Sequence, residues 1–546
     1  MRTPVKVILM AGWALSGTIL ESQGPAATRL DVAIDTGLFR AAGGRSSLEV
    51  YLGIDRALLT YDRVQGQPDV TLAAVALLKQ HGQVVDFREL QVHDVLRGQT
   101  EIPRGRIPKL ATFTPAPGRY LLQIVVEDQL GNKFDSTFQV VVPAYRKWEL
   151  GMSGVQIAAL IRRSTSKNGE FYKHGLVVRP RASATYGGDH PLLWYFAVVY
   201  GVTHLDTVEI QATIWQDSVQ VFSTGFKHSP SPALIYVDRG AINVTALNPG
   251  SYQLQLKAVA AGDSTTSTTP FQVAGSSAAP GDSGDGLAAL PPDDLIDFAM
   301  GLHAAWPRLD VRRFRQANDL ARGAMVRRFT DQLASIAGQD SSNFLDELLH
   351  RWTQVTAFDQ LQQAPGRISR QGHALLLYGL PETIMIYPAT RTRREYQIWT
   401  YAHPDSSKQI TFIDGDGHGH FAPVHTTLPG AEALGWERNE DWRQQLPWVS
   451  VAEKVTAPTI PPAIAVPFPE TIPLADSLHG DTSLVGESIP DTLLIDGTLG
   501  DTTLEDTTLN SFIPDEIGLN NVPPRDTLAV PQPVPDTLGV EPTQAP

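Results

Sequence analysis

The sequence contains no cysteine. Disulfide bonds, thiolate metal sites and a cysteine nucleophile are therefore excluded. Basic residues are also outnumbered, with 44 Lys and Arg against 58 Asp and Glu and a formal net charge of −14. Because nucleic-acid binding needs a basic face and the overall charge offers none, we expect no nucleic-acid partner.

The N-terminus carries a short apolar run. Arg2 and Lys6 precede Val7–Leu20, and this run of 14 residues ends at a polar segment. Such a run is short for a membrane-spanning helix and has the length typical of a signal peptide. We therefore predict export to the periplasm or the cell surface of a bacterium. Residues 1–27 are the signal peptide or a retained N-terminal anchor, and we expect no other membrane span.

The C-terminal residues 449–546 are rich in Pro, Thr, Asp and Leu. From Val451 onward, 15 acidic residues stand against two basic ones, so almost all of the net negative charge lies here. Asp491, Asp496 and Asp501 recur at five-residue steps, a period typical of pentapeptide-repeat β-helices, but the regular run is too short to bury a core. The composition predicts a disordered, low-complexity tail.

At 546 residues the chain is too long for one core, because domains of roughly 100 to 200 residues are typical. From residue 28 onward, short segments alternate apolar and polar residues, as in Leu48–Ile54 and Tyr120–Val126. This period of two indicates half-buried antiparallel strands. We predict two immunoglobulin-like β-sandwiches in tandem, at 28–145 and 146–274.

The two predicted sandwiches resemble each other in sequence. Segment 117–124 (PGRYLLQI) matches 249–256 (PGSYQLQL), and 138–140 and 271–273 both read Phe-Gln-Val. Segment 48–54 also matches 192–198, which indicates an internal duplication. A Pro-Gly-x-Tyr element in such sandwiches places the tyrosine hydroxyl across a corner to bond the backbone. We therefore predict structural roles for Tyr120 and Tyr252.

A change of composition and of period follows. Residues 275–292 are mostly Gly, Ser, Ala, Pro and Asp, which predicts a flexible linker. In 293–364 the apolar residues recur at three- and four-residue steps, and a start at Pro292 and a loop from Gly338 are indicated, so we expect three or four helices. Arginines cluster in this segment. They are expected to form a solvated face, or a surface for the acidic tail or an anionic lipid.

Residues 366–425 contain three recognisable pieces. They are Tyr-Gly-Leu-Pro at 378–381, YQIWTY at 396–401, and Phe412-Ile-Asp with Gly417, Gly419 and Phe421. The order of these pieces resembles the GWxTD domain of secreted bacterial proteins, a family without an established activity. Its signature falls on 366–370, where arginine replaces both the Trp and the Asp. The resemblance implies an α+β domain at 365–448, in which an apolar strand precedes a turn at Gly379 and Pro381.

The segment from Asp414 to His420 is the strongest candidate for chemistry. Its glycines alternate with Asp414, Asp416, His418 and His420, which an extended chain would place along one edge. Carboxylate and imidazole groups could converge there on one divalent cation of the zinc type. The alternative is a tight glycine hairpin without metal. Nearby, Trp399 is expected to pack in the core with Gln397 and Tyr401 on its face of the strand, or to form a carbohydrate-stacking surface.

These observations predict a multidomain chain of two sandwiches, a helical segment, an α+β domain and a tail. We expect the sandwiches and the α+β domain to fold as independent bodies, with no reactive groups assembled between them. The predicted function is an exported, non-enzymatic envelope protein without a cofactor that binds an envelope protein or a glycan. The alternative is a metal-dependent hydrolase or metal sensor that uses the hairpin at 414–420.

Overall fold

The computed structural model describes residues 30–447, apart from 65–66, 97–101, 103–104, 147, 165, 189, 204–205, 276–285, 307–308, 363–367, 403–406, 429–430, 432–434 and 437. The predicted signal peptide at 1–27 and the predicted tail at 449–546 lie outside these residues, as do Gly366 and Arg367 of the signature. The described part is mostly β-sandwich, with a few helices.

The first sandwich is formed by antiparallel strands in two sheets. Its strands are β1 (Val32–Arg40), β2 (Ser46–Asp55), β3 (Asp62–Val64), β4 (Gln67–Gln80), β5 (Gln83–Val95), β6 (Arg106–Phe113), β7 (Gly118–Asp128) and β8 (Lys133–Val142). One sheet has the order β1-β2-β6, and the other has the order β3-β4-β7-β8 with β5 also paired to β4. Alternate residues such as Leu48, Val50, Leu122 and Ile124 are buried in one core between the sheets. Alternation therefore predicted these strands because each has one core-facing side.

The second sandwich follows the same plan. Its strands are β9 (Gly151–Met152), β10 (Gln156–Arg163), β11 (Tyr172–Lys173), β12 (Leu176–Pro180), β13 (Thr185–Tyr186), β14 (Leu192–Tyr200), β15 (Thr207–Gln216), β16 (Val219–Ser223), β17 (Lys227–Pro230), β18 (Ile235–Asn243), β19 (Gly250–Ala260) and β20 (Asp263–Val273). Strands β10-β14-β18 repeat the order β1-β2-β6, and β16-β15-β19-β20 repeat β5-β4-β7-β8. The strand order thus repeats, as the sequence match indicated.

The two corner tyrosines make the same contact. Tyr120 Oη donates a hydrogen bond of 2.9 Å to the carbonyl of Ala116, and Tyr252 Oη donates one of 2.7 Å to the carbonyl of Asn248. Each bond spans four residues and closes the turn before β7 or β19. Both rings lie in the core of their own sandwich.

One part of the predicted alignment is wrong by a single residue. Leu48 and Val50 of β2 face the core of the first sandwich, but in β14 it is Leu193 and Tyr195, rather than Leu192, that face the core of the second. Shifting a strand by one residue exchanges its faces. The sequence could not fix this phase, because β14 is buried on both sides and is apolar at almost every position.

Helices follow the second sandwich. They are α1 (Pro292–Ala305), α2 (Val311–Gln316), α3 (Asp319–Ala337), α4 (Ser341–Gln362) and α5 (Arg370–Tyr378). The predicted start at Pro292 is confirmed, and Gly338 ends α3 in the left-handed conformation at φ 65°. Part of the predicted linker is packed rather than flexible, since Leu287 is buried in the core beneath the helices.

The apolar run before Gly379 is helix α5, where a strand was predicted. Ser369 caps its N-terminus by accepting the backbone N–H of Gly372 at 2.8 Å, and Gly379 at φ 73° ends it. Periodicity cannot separate a helix from a strand in an apolar run this short, and the cap at Ser369 was the missed signal.

The prediction of independent bodies is wrong. The last strands are β21 (Thr383–Tyr387), β22 (Tyr396–Tyr401), β23 (Lys408–Asp414) and β24 (Phe421–Thr426). They continue the sheet of the second sandwich in the order β11-β12-β10-β14-β18-β21-β22-β23-β24. Strand β21 pairs antiparallel with β18, and the N–H of Asn243 donates to the carbonyl of Glu382 at 2.9 Å. Sequence gives no sign of this pairing, because the partner strands are separated by the whole helical segment.

The helices cover one face of this continuous sheet. Phe196 and Val198 of β14 share a core with Phe298 and Trp352 from the helices and with Trp399 of β22. One apolar core therefore runs across the boundary that was predicted between the second sandwich and the C-terminal domain.

Candidate functional site

The segment from Asp414 to His420 is a hairpin loop between β23 and β24. Asp414, the last residue of β23, is fully buried, and its carboxylate accepts the backbone N–H groups of Gly417 and Gly419 at 3.0 and 3.1 Å. Both glycines have positive φ, 77° and 92°. The chain therefore curls around Asp414, as the hairpin alternative describes, and does not run extended.

The other three predicted ligands lie on the exposed side of this loop. Asp416 accepts the backbone N–H of His418 at 2.9 Å, and its second oxygen lies 2.6 Å from Nδ1 of His420. The bond to Asp416 raises the pKa of His420. Asp416 and His420 thus form an exposed pair while Asp414 is buried. Among residues 30–447 as described, no group of three or more His, Asp or Glu side chains is arranged to hold a metal ion.

Two arginines from the second sandwich pair with the buried acids at and beside the hairpin. Arg163 of β10 places Nη2 at 2.7 Å from Oε2 of Glu395 and Nε at 3.4 Å from Oδ2 of Asp414. Its Nη1 also donates to the carbonyl of Gly417 at 3.3 Å. Arg239 of β18 forms an ion pair with the other oxygen of Glu395. We call Arg163, Arg239, Glu395 and Asp414 the four-charge cluster.

The surroundings of the four-charge cluster shift the pKa values of both of its acids. Burial opposes ionisation of Glu395, but Arg239 and Arg163 outweigh it and hold the pKa of Glu395 below its ordinary value. Burial raises the pKa of Asp414 to about 6, although Arg163 acts in the opposite direction. Glu395 is therefore the anion on which the cluster depends.

The space beside the cluster is small. A cavity of about 30 Å³ is bounded by Arg163, Arg239 and Glu395 together with the aromatic rings of Trp194 and Phe421. A cavity of this size holds roughly one water molecule. The cluster therefore ties β10 and β18 to the hairpin and leaves no room there for an organic substrate.

A second buried ion pair lies on the other face of the same sheet. Lys227 of β17 pairs with Asp238, and its Nζ donates to the carbonyl of Ile386 in β21 at 3.0 Å. Asp238 precedes Arg239, and successive residues of a strand point to opposite faces. Strand β18 is therefore tied to the C-terminal strands on both faces.

Trp399 is fully buried, and its Nε1–H donates to Oε1 of Gln397 at 3.0 Å. Its ring packs edge-on against Phe358 of α4, with 5.8 Å between ring centroids. This geometry supports the core-packing interpretation over a carbohydrate-stacking surface. His425 is also buried, and its Nδ1 accepts the N–H of Asn439 at 3.2 Å.

Pro381 follows Gly379 at the exit of α5, before β21 begins. In the preceding signature segment, Ser369 is held by Asp359 of α4, which accepts the Ser369 hydroxyl at 2.6 Å and its N–H at 2.9 Å. These contacts fix the ends of α4 and α5 relative to each other. They give this part of the signature segment a structural role.

The sequence carried one signal for the arginines that was missed. Asp238 and Arg239 are adjacent charges within an otherwise apolar strand, and Arg163 ends another apolar strand. Charged residues at such positions are buried only when they are paired. The pattern therefore indicated buried partners, although it could not identify Glu395 as one of them.

An open groove lies between α3 and the residues that precede and begin α1. It has a volume of about 600 Å³ and is bounded by Leu287, Leu290, Leu295, Leu320 and Ala324, with Arg327, Arg328, Asp319 and Asp331 also lining it. Leu320 is 88% exposed. We call this feature the α1/α3 groove. Its volume lies within the range of ligand-binding clefts.

No protein-family model and no curated protein matches the chain. Among solved structures, red sea bream transglutaminase is 8% identical with a TM-score of 0.14, covering 46% of this chain and 32% of its own. Fibronectin(III)-like modules of Clostridium thermocellum CbhA are 12% identical with a TM-score of 0.13, covering 44% of this chain and 93% of theirs.

Dimeric latent PorU from Porphyromonas gingivalis is 11% identical with a TM-score of 0.19, covering 45% of this chain and 20% of its own. This chain therefore spans about a third or less of the transglutaminase and PorU chains. TM-scores this low do not establish a shared overall fold. In the part of the chain that the structure describes, no helix has both the length and the apolar character of a membrane span.

Proposed function

We propose that the protein is an exported, non-enzymatic component of the bacterial cell envelope that acts as a binding or scaffold module for an envelope protein. Two tandem immunoglobulin-like sandwiches and the GWxTD-like C-terminal strands form the scaffold. The N-terminal apolar run supports export. The acidic tail supplies a spacer or interaction segment.

The proposal rests on the burial and pairing of the acids in the hairpin region. Glu395 and Asp414 are buried against Arg163 and Arg239, and the adjacent cavity has space for about one water molecule. These residues stabilise the junction between β10, β18 and the hairpin. The titratable groups best suited to chemistry are thus engaged in structural contacts.

The α1/α3 groove is the proposed binding site. Its leucines offer an apolar surface that includes the 88% exposed Leu320, and two arginines and two aspartates add charges of both signs to the lining. A protein segment with apolar and charged side chains matches this lining better than a glycan does, because a glycan would need more hydrogen-bonding groups than aliphatic walls provide.

The groove is tested with the full chain and its matched variants. Wild type, Leu320→Glu and Arg328→Glu are titrated against solubilised envelope proteins and against purified envelope glycan. Leu130→Glu is the control, because Leu130 is 68% exposed but belongs to the first sandwich. We expect Leu320→Glu to weaken protein binding at least tenfold and the control to leave it unchanged. Equal binding by all four proteins would refute the groove as the site.

Export and the absence of turnover need separate measurements. N-terminal sequencing of protein from fractionated cells should place the mature chain in the envelope fraction. Reproducible turnover of a glycan or peptide library would overturn the non-enzymatic assignment. For the metal-dependent alternative, stoichiometric metal in the purified chain and a melting temperature that falls in chelator would be required.

A further inference from the structure

A lysine and an aspartate meet between the two sheets of the second sandwich. Lys227 belongs to β17, which pairs with β15, and Asp238 belongs to β18 in the sheet that continues into the C-terminal strands. Asp238 lies on the same side of β18 as Tyr236 and Ile242, whose side chains are in the sandwich core. Nζ of Lys227 is in direct contact with Oδ1 of Asp238. The two side chains therefore reach this contact from different sheets.

The contact is almost completely shielded from solvent. The side chain of Lys227 is 4% exposed and that of Asp238 is 0% exposed. The rings of Tyr236 and Tyr387 lie 5.9 and 5.8 Å from Nζ. Two charges in such surroundings lose hydration that their mutual attraction does not fully replace. Burial accordingly raises the pKa of Asp238, although the charge of Lys227 acts in the opposite direction.

The hydrogen bonds of this pair are incomplete. The ammonium group of Lys227 has three N–H groups, and two of them have acceptors among the described residues: Oδ1 of Asp238 and the carbonyl of Ile386, the latter at 3.0 Å. Oδ2 of Asp238 is buried and has no hydrogen-bond partner in the part of the chain that the structure describes. A buried carboxylate oxygen without a partner is costly. An amide between the two side chains would remove both charges and still leave one N–H for Ile386.

The ion pair of Lys173 with Glu49 provides an internal comparison. It is also a direct contact, but its side chains are 12% and 14% exposed. Nζ of Lys173 donates in addition to Oε1 of Gln156 at 2.9 Å and to Oη of Tyr51 at 3.3 Å. Every N–H group of Lys173 thus has an acceptor. This pair is stable as an ion pair, whereas the pair at Lys227 is not fully satisfied.

We propose that Lys227 and Asp238 condense to an intramolecular amide that covalently joins the two sheets of the second sandwich. A proton passes from the ammonium group to Oδ1, and the resulting amine attacks Cγ of Asp238. A second proton then passes from Nζ to Oδ1, the Cγ–Oδ1 bond breaks and water leaves. The new Nζ–Cγ bond and one N–H remain, and no oxidant or other reactant is consumed.

Two features of the site favour this reaction. The fold holds the amine and the carboxyl group in contact, which replaces the entropy cost of bringing two reactants together. The exclusion of water opposes hydrolysis of the product. Because the chain has no cysteine, a disulfide cannot provide a covalent link between the sheets. The inference is independent of the proposed binding function and of the α1/α3 groove.

Peptide mapping of the unfolded wild-type chain tests the bond. Lys227 is the only site for trypsin between Arg181 and Arg239. Trypsin does not cleave after a lysine whose amine has become an amide, so we expect peptide 182–239 to remain whole and to be lighter by one water molecule. Chymotrypsin then cleaves after Tyr236, and the fragments that carry Lys227 and Asp238 should stay joined. Complete tryptic cleavage after Lys173 is the expected control result.

Two variants assign the bond to these side chains. Lys227→Arg keeps a positive charge beside Asp238 but has no amine, and Asp238→Ala has no carboxyl group. Both should have the full calculated mass and be cleaved by trypsin at position 227, a result that does not depend on their stability because the digestion is done on unfolded protein. Complete cleavage of the wild type after Lys227 would overturn the proposal. So would a loss of water that is located in a different peptide.

Discussion

The two sandwiches share a strand order, but their corresponding strands β6 and β18 differ. Strand β6 ends its sheet, whereas β18 is followed in the sheet by β21. At the free edge of β6, Glu170 accepts the N–H of Leu110 at 2.7 Å, and Nε of Arg88 donates to the carbonyl of Thr112 at 2.7 Å. Pro108, two residues before Leu110, has no N–H to offer. At β18 the backbone groups pair with β21 instead.

The same sandwich architecture can therefore either end its sheet at this strand or continue the sheet into further strands. Proline and charged side chains at an edge strand prevent the addition of another strand. Strand β18 lacks proline and carries Gly240, where an added Cβ would lie 2.6 Å from Oη of Tyr195 and 2.8 Å from the carbonyl oxygen of Ile384. The close approach of β21 therefore depends on glycine at this position.

The largest effect on the continuation of β18 into the C-terminal strands is expected from a variant of the four-charge cluster. Glu395→Ala leaves the buried Arg239 without its partner and Arg163 with Asp414 alone, which should lower the free energy of unfolding by about 3–5 kcal/mol. Urea denaturation of the full chain measures this loss. Hydrogen exchange should increase in β21–β24 and remain unchanged in the first sandwich.

A matched variant separates burial from ion pairing. Glu127 pairs with Lys133 at 3.4 Å, and both side chains are about half exposed. Glu127→Ala should therefore change stability by less than about 0.5 kcal/mol. Equal losses for Glu127→Ala and Glu395→Ala would contradict the role assigned to the cluster.

Gly240 offers a steric test of the same edge. Gly240→Ala should cost up to about 3 kcal/mol, because the new methyl group must displace either Tyr195 or the backbone of β21. Thermal unfolding measures the effect. Gly225→Ala is the control, since an added Cβ meets nothing within 4 Å there. If both variants melt alike, close packing at Gly240 is not what positions β21.

The charge of Glu395 predicts a pH dependence. Its pKa is held below the ordinary 4.5, so its ionised form contributes stability that is present above pH 4.5 and is lost as the pH falls through the folded-state pKa. Glu395→Gln should cost about 2 kcal/mol at neutral pH, where it removes hydrogen bonds to an ionised group. Melting curves should show this difference shrinking below pH 4.5. A difference that is independent of pH would indicate that size, not charge, matters.

A smaller loss of stability than at β18 is predicted where the sandwiches are alike. Tyr120→Phe and Tyr252→Phe each remove one hydrogen bond across a corner and should each cost about 1 kcal/mol. Chemical denaturation of both variants measures the two losses. Similar values would support equivalent corners in the two repeats, whereas a loss confined to one would show that the repeats have diverged there.

Much of each sandwich could be predicted from its own residues. Tyr120 and Tyr252 were identifiable because the corner bond joins residues four positions apart, and the helices because apolar residues recur along one face. The sequence did not show which residues of β14 face the core of the second sandwich, since apolar and polar residues do not alternate in a strand with two apolar faces. Helix α5 was missed because nine residues are too few to distinguish the two periods.

The hairpin shows the same limit at the candidate site. Its glycines predicted a tight turn, and Asp414 does organise one. The convergence of Asp414, Asp416, His418 and His420 assumed an extended chain, but the positive φ values of Gly417 and Gly419 separate the buried acid from the exposed pair. Arg163 could not be assigned to this loop, because the two are about 250 residues apart in the chain.

The sequence by itself determined most strand-forming and helix-forming segments other than α5, the tyrosine corners and the turn at the hairpin, because these depend on residues a few positions apart. Only the tertiary structure decided that β18 continues into β21 and that Glu395 lies between two arginines of the second sandwich. The physical reason is that backbone edge groups and buried charges require partners, but the chain does not encode locally which distant segment provides them.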